Sequence, residues 1–299
     1  MENKEELILA APFQRKDIHL SIHDKICLLI GILTLFPIRL IILVPCFLLA
    51  WCFARFGLIK MDETNPASGF RRILQRFNYR IARFIMRICF GFLSPKMTGD
   101  LLPPEAAPVL VVAPHTSFFD VWIVCWFEMN GFCSAIVREE NKETPFLGPI
   151  FRFQQMLFVR RSCRVSRQET METISTRVKD LLWGRLIIFP EGTTSNGSCL
   201  LPFKRGGFLQ GVHQVHPVVV RYPNMVDCTT WTEGNSGYKE ATMVTMRAMA
   251  TLFTRAEVEI MPAVMPEGDP VMFGQLVREA MGERVGLPLY HHQEDTWNI

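Results

Sequence analysis

PVLVVAPHTSFFDVW (residues 108–122) starts as a run of aliphatic, largely β-branched residues, ends as a helix start, and places two ionisable groups at the changeover. The apolar run has no polar alternation, which predicts a strand buried on both faces, and Pro114 closes it. Ser117 and Asp120 have the spacing of a capping box, with the carboxylate near the positive end of the following helix. Residues five apart on a continuous helix point about 140° from one another. His115 therefore meets Asp120 only if it sits on the turn ahead of the helix and folds back over it. A histidine held in that way is an oriented base: the imidazole takes a proton from an attacking hydroxyl, and the carboxylate fixes the tautomer. No G-x-S-x-G elbow occurs to supply an enzyme nucleophile, so the hydroxyl would belong to a substrate. The motif thus points to direct transfer of a group onto an alcohol.

The pattern of 108–122 repeats down the chain. Residues 155–161, 184–190, 215–222 and 258–265 are further short apolar runs, and 166–183 and 269–282 have helical spacing between and after them. Ser166 and Glu169 suggest an N-terminal cap for the first of these helices. Strands alternating with helices predict an α/β fold, a largely parallel sheet flanked by helices, with an N-terminal hydrophobic membrane-anchoring helical segment ahead of it. The expected divisions are a polar tail (1–25), a membrane hairpin or span (26–60), a basic amphipathic membrane-surface segment (61–102), a catalytic α/β domain (103–268) and a C-terminal helix and tail (269–299).

The anchor is legible in residues 26–54, which carry one charge, Arg39, and two prolines, Pro37 and Pro45. An unbroken helix of that length exceeds the ~20 residues that cross a bilayer. However, an arginine at mid-membrane costs roughly 2.5–3.5 kcal/mol on insertion scales. The prolines are expected to break the run into halves too short to cross alone. Basic residues on both flanks favour a hairpin with both ends on one side. Residues 71–93 alternate Ile73, Leu74, Phe77, Ile81, Phe84, Ile85 and Ile88 with Arg72, Arg76, Arg80, Arg83 and Arg87. That helix either lies flat among lipid headgroups or packs on the catalytic domain. The chain has 299 residues, 49% of them hydrophobic, and a net charge of +3, so charge gives no reason to expect a nucleic-acid partner. Its nine cysteines form no C-x-x-C pair and read as reduced, buried thiols.

A second island, FPEGTTSNGSCLLPFKRGGF (189–208), places Glu191 at the carboxyl end of a predicted strand, where α/β sheets bind ligands. Lys204, Arg205 and the two following glycines suit phosphate contact. HTSFFD, LFVRR, FPEGTT and VHPVVVRY occur in that order, and the set resembles the glycerolipid acyltransferase (PlsC-like) family. PHTSFFD, EGTTSNGSCLLPFKRGGF and VVVRYPN resemble its lysophosphatidylcholine acyltransferase branch in particular. The resemblance covers roughly residues 95 to 265. It implies acyl-CoA-dependent acylation of a lysophospholipid, with membrane lipids, acyl-CoA and lysophospholipid as partners. It also implies the endoplasmic reticulum membrane, an active site facing the cytosol, and no cofactor or metal, acyl-CoA being a co-substrate. On it His115 is the general base and Asp120 its orienting group, while Arg161, Glu191, Gly192 and Thr193 position the acceptor and Lys204 and Arg205 contact phosphate. Two positions depart from the pattern. Thr194 stands where lysophosphatidate acyltransferases usually carry arginine, which suits a capped headgroup better than a bare phosphate monoester. Gln155 stands where the family has the leading glycine of its second block. The alternatives are a lysophosphatidate or glycerol-3-phosphate acyltransferase, a CoA-independent transacylase, a non-catalytic lipid-binding protein, and a metallohydrolase built on His115, Asp120, Glu191, His213 and His216. The sequon at Asn196 is expected to stay unglycosylated, because it lies in the motif loop.

Overall fold

The computed structural model describes residues 11–15, 20–127, 133–160, 163–208, 214–224, 226–232 and 237–290. Its centre is a seven-stranded sheet: β1 (Lys96–Thr98), β2 (Val109–Val112), β3 (Cys133–Arg138), β4 (Leu157–Val159), β5 (Arg185–Ile188), β6 (Val215–Arg221) and β7 (Glu257–Ile260). The order across the sheet is β1-β7-β6-β2-β5-β3-β4, with every pair parallel except β6 and β7. The helices are α1 (Ile22–Leu33), α2 (Leu35–Gly57), α3 (Gly69–Ile88), α4 (Asp120–Cys125), α5 (Leu147–Phe153), α6 (Arg164–Arg177), α7 (Gly237–Ala250) and α8 (Pro270–Val285).

β2 is central and all four of its residues are buried, as its unbroken apolar run predicts. Leu110 and Val112 join Tyr79, Ile123, Val244 and Met249 in the core on the α3, α4 and α7 side. Val109 and Val111 join Ile174, Val178, Val277 and Met281 on the α6 and α8 side. The five strand-like runs of the sequence all become strands. β1 and β3 escape sequence reading for separate reasons. β1 is a three-residue edge with all residues exposed, and β3 carries Ser134 and Arg138 among its apolar positions. The helix expected from 166 starts earlier, at Arg164, with Cys163 as its N-cap residue. Ser166 is therefore no cap: its Oγ accepts the Arg160 N–H at 3.0 Å.

The N-terminal segment departs from expectation in where it breaks. Thr34 alone separates α1 from α2, and α2 then runs for 23 residues through Pro45. Pro37 is the third residue of α2, where the N–H it lacks would have no acceptor within the helix. Two prolines are thus absorbed in a helix long and apolar enough to cross a membrane, with 11% of its most apolar window buried. Arg39 does not face the apolar surroundings either. It is 8% exposed, and its guanidinium donates to the carbonyls of Ala248 (3.3 Å), Met249 (2.9 Å), Thr251 (2.6 Å) and Leu252 (3.0 Å). Those carbonyls are the end of α7, so a cation meets the negative end of a helix dipole and supplies the donors that end lacks. The insertion cost is avoided because the charge points into the protein.

α3 packs one face on the domain, as the second reading of its amphipathic pattern expects, and leaves other apolar residues exposed. Leu74, Tyr79, Ile85 and Met86 are buried against the domain, while Phe70, Ile73, Phe77 and Phe84 are exposed. Phe53 and Phe56 of α2 pack on Phe77 and Phe70. Several arginines turn back to main chain: Arg71 to the carbonyls of Gly57, Ile59 and Lys60, and Arg83 to that of Trp126. The cysteines are all unpaired, as expected, but Cys27 and Cys52 are exposed on α1 and α2 rather than buried, because those helices show much of their apolar surface outward.

Arg39→Met removes the donor for four carbonyls at once. Hydrogen bonds to a charged group contribute about 1.5–3 kcal/mol each, so a net loss of roughly 2–4 kcal/mol is expected, read as a lowered thermal midpoint of the detergent-purified protein. An unchanged midpoint would show that the guanidinium does not hold α7 in place.

Candidate functional site

Three neighbouring strands, β5, β2 and β6, end on one side of the sheet, and the residues just beyond each end converge. His115 follows β2 by three residues, after a cis Ala113–Pro114 bond. Its Nδ1 lies 2.8 Å from Asp120 Oδ2. The fold-back expected from 108–122 is therefore present, and Asp120 is the first residue of α4. Oδ2 also accepts the N–H groups of Thr116 and Ser117, each at 3.0 Å, and Oδ1 accepts the Tyr222 hydroxyl at 2.5 Å. Asp120 has no exposed surface. Four donors thus meet the buried carboxylate, three at Oδ2 and one at Oδ1, so neither oxygen is left without a partner. Because the carboxylate only accepts, Nδ1 of His115 carries the proton, and Nε2 is left with its lone pair. The ring stacks on Phe189 with centroids 3.9 Å apart, and its side chain keeps 17% exposure. One face is thus covered while part of the side chain stays accessible.

Tyr222 belongs to this group, and sequence reading did not single it out. It lies beyond β6, more than a hundred residues from Asp120, and only the adjacency of β2 and β6 brings the two together. Burial, followed by the charge of Asp120, raises its pKa well above 10, so its hydroxyl remains a donor. The available signal was a tyrosine closing VVVRY after a predicted strand.

Glu191 sits beneath the site rather than on its surface. It is fully buried, with Oε2 accepting the His115 N–H at 2.5 Å and Oε1 accepting the Leu201 N–H at 2.8 Å. Both oxygens are thus spent on main chain, tying the His115 turn to the loop after β5. Burial raises its pKa to about 7; the two backbone donors and Arg278 pull the other way, and Asp120 adds to the rise. Gly192 has φ +70, and a Cβ there would come within 2.9 Å of Lys204 Cε. Lys204 therefore lies along this turn, and its N–H binds the Pro190 carbonyl at 2.8 Å. Thr193 is half-buried and Arg205 is exposed. Thr194 is buried, and its hydroxyl has no hydrogen-bond partner among the described residues. Arg161 and His213 lie outside the described residues. Asn196 Nδ2 donates to the Gln14 carbonyl at 2.7 Å, so the sequon nitrogen is already engaged.

Gln155, the other departure from the family pattern, has φ +55. A glycine-like backbone conformation persists there although the residue is not glycine, at a cost of about 1–2 kcal/mol. The side chain offsets part of that cost: Oε1 accepts the Ala67 N–H at 2.9 Å and Nε2 donates to the Asn65 carbonyl at 2.7 Å.

Among the described residues the metallohydrolase set does not assemble. His216 is inside β6, with Nδ1 on the Met261 carbonyl at 3.1 Å and Nε2 accepting the Leu102 N–H at 3.1 Å. Burial lowers its pKa, so it serves as a neutral structural link. Among the described residues no three His, Cys, Asp or Glu side chains group as metal ligands.

Residues 95–221 match the family model for Acyltransferase, a span that contains His115, Asp120 and Glu191. Over these residues the chain is similar to an acyltransferase domain. The chain is 37% identical over 271 residues to lysophosphatidylcholine acyltransferase 2 of Homo sapiens, covering 88% of this chain and 48% of that protein. It is 37% identical over 306 residues to the enzyme of the same name from Danio rerio, covering 98% and 56%. It is 32% identical over 291 residues to lysophosphatidylcholine acyltransferase 1 of Homo sapiens, covering 94% and 53%. The chain spans about half the length of these curated relatives. The crystal structure of a 1-acyl-sn-glycerophosphate acyltransferase, PlsC, from Thermotoga maritima aligns with TM-score 0.49 and 17% identity over 85% of this chain and 100% of that one, too loose a likeness to reason from. The fold continues past the matched span, since β7 adds to the sheet and α8 covers one face.

Glu191 gives this domain a pH signature. Its folded pKa of about 7 lies above its ordinary 4.5, so the native state binds more protons between those values. Its stabilising contribution is complete below pH 4.5 and is lost as pH rises through about 7. In Glu191→Gln the unfolding midpoint should fall less steeply across this window, the difference amounting to as much as ~3 kcal/mol. Parallel curves for the two proteins would contradict the assignment.

Proposed function

We propose that the chain transfers an acyl group from acyl-CoA to the free hydroxyl of a lysophospholipid, with a lysophosphatidylcholine-like acceptor. The observation that carries the proposal is His115, its Nδ1 committed to a buried, four-donor carboxylate and its side chain still 17% exposed, within a stretch that matches an acyltransferase family model. The acceptor hydroxyl gives its proton to Nε2 as its oxygen bonds to the thioester carbonyl carbon. The tetrahedral intermediate collapses, the carbon–sulfur bond breaks, and the CoA thiolate takes the proton back from the imidazolium. Asp120 stabilises that imidazolium and Tyr222 positions Asp120. Glu191 acts through the main chain by fixing the turn that carries His115. Gly192, Thr193, Lys204 and Arg205 remain with the acceptor and its phosphate, as does Arg161. No cofactor is required. Thr194 in place of arginine favours a capped headgroup over lysophosphatidate or glycerol 3-phosphate.

The anchor fits a membrane enzyme. α1 and α2 expose Ile26, Leu29, Ile30, Leu33, Ile38, Ile41, Val44 and Leu48 outward, a surface suited to lipid rather than water. The proposed setting is the endoplasmic reticulum membrane with the active site on the cytosolic side.

Labelled acyl-CoA offered with a panel of lysophospholipids should yield diacyl product on at least one acceptor, and none when acyl-CoA is omitted. His115→Ala should abolish turnover, and equal rates in both proteins would sink the mechanism. Tyr222→Phe should lower kcat by roughly 10-fold with KM little changed, since one donor to Asp120 is lost and no substrate contact is. A KM effect alone would place Tyr222 in binding instead.

A further inference from the structure

Leu252 and Phe253 are 56% and 57% exposed, yet they stand on a turn fastened from several directions. The Arg39 guanidinium holds the Thr251 and Leu252 carbonyls. The Thr254 N–H binds the Gly91 carbonyl at 2.9 Å, and its hydroxyl binds the Phe90 carbonyl at 2.7 Å. Gly91, at φ +74, lets the chains approach so closely that a Cβ would lie 3.1 Å from the Leu252 carbonyl oxygen and 3.3 Å from Arg39 Nη2. Two large apolar side chains are thus presented to the outside by a braced turn.

Their neighbours show what they meet. Arg39 is the fifth residue of α2, about 6 Å from its start, and Ile38, Leu40 and Ile41 beside it are exposed. On α1, Gly31 lies so near the end of α7 that a Cβ would sit 1.9 Å from the Ala250 carbonyl oxygen, while Ile30 and Leu33 next to it are exposed. The outward apolar residues of both helices and the 252–253 pair therefore share one level of the molecule. The carbonyls that end α7 lie at that same level, held by Arg39. In water such carbonyls are satisfied by solvent, whereas hydrocarbon leaves them unpaired at a cost of several kcal/mol each. An arginine projecting from the apolar first half of α2 to satisfy four of them fits a helix end placed where water is scarce.

We propose that the turn between α7 and β7 is a lipid-insertion point of the catalytic domain, with Leu252 and Phe253 in the same bilayer hydrocarbon that receives the outer faces of α1 and α2. This rests on the reading of α1 and α2 as the membrane anchor. It adds that the sheet is not tethered at a distance: α7 and β7 are seated on the bilayer, and Arg39 sets the height.

The test uses the full chain in phosphatidylcholine vesicles with radiolabelled acyl chains, with photoreactive benzoylphenylalanine placed singly at Phe253, Leu49 or Met272. All three positions are exposed and apolar, and Met272 is on α8, on the opposite face of the sheet. Lipid labelling at 253 should match that at 49 and exceed that at 272 by roughly ten-fold. Labelling at 49 without labelling at 253 overturns this inference and leaves the anchor intact. Absence of labelling at both overturns the anchor reading itself. Equal labelling at 253 and 272 also overturns the inference, because apolarity alone would then explain it. A crosslink from 253 to a second protein chain in place of lipid assigns the turn to a protein interface and overturns it as well.

Discussion

Asp120 has a carboxylate buried at the end of the central strands and no route to solvent, and that constraint organises the surrounding chain. A group of this kind has to be satisfied by donors the protein supplies, and four arrive from three places: the His115 ring, two consecutive backbone amides, and a tyrosine beyond β6. Each donor fixes something. The amides close the loop between β2 and α4, the ring is set in one tautomer, and the tyrosine ties β6 to β2 beyond the last ladder bond. Glu191 then repeats the logic one layer down, using its own buried oxygens to hold the His115 amide and the Leu201 amide. The geometry of the base is thus set by two buried carboxylates acting in series.

A different buried ion governs the junction with the anchor. Arg39 joins α2 to the end of α7, and Gly31 of α1 allows close approach to the same helix end. The catalytic domain and the apolar helices therefore share packing rather than a flexible linker. On the proposed function this has a direct consequence: a lipid hydroxyl at a bilayer surface would meet a base whose height is set by the apolar helices. Enforced proximity of this kind lowers a barrier without added chemistry.

Parts of the molecule were readable from local pattern, and the reasons differ by element. β2, β5 and β6 are buried on both faces, and each carries an unbroken apolar stretch (residues 109–112, 186–188 and 218–220) that marks it as a strand. β1 and β3 were not readable: the first is too short and exposed to carry a pattern, and the second mixes Ser134 and Arg138 into its run. Pro45 suggested a break that did not occur, because one lost hydrogen bond in a long apolar helix costs less than exposing several others. Glu191 was placed at the right strand end, but its direction was not legible. Whether a carboxylate faces substrate or main chain depends on loops that return from far along the chain.

By itself the sequence determined the α/β alternation, the central strands and the apolar N-terminal helices, and it set the condition under which His115 meets Asp120, a fold-back over the first turn of α4, since each depends on neighbours within a few residues whose spacing constrains the backbone. Only the tertiary structure decided that Tyr222 completes the carboxylate's shell, that Glu191 works from beneath, that Gln155 keeps a left-handed backbone by hydrogen-bonding across to 65–67, and that Arg39 turns inward to the end of α7. Each of these satisfies a buried polar group with a partner distant in sequence. Such a partner is chosen by sheet order and helix packing, which no local spacing encodes.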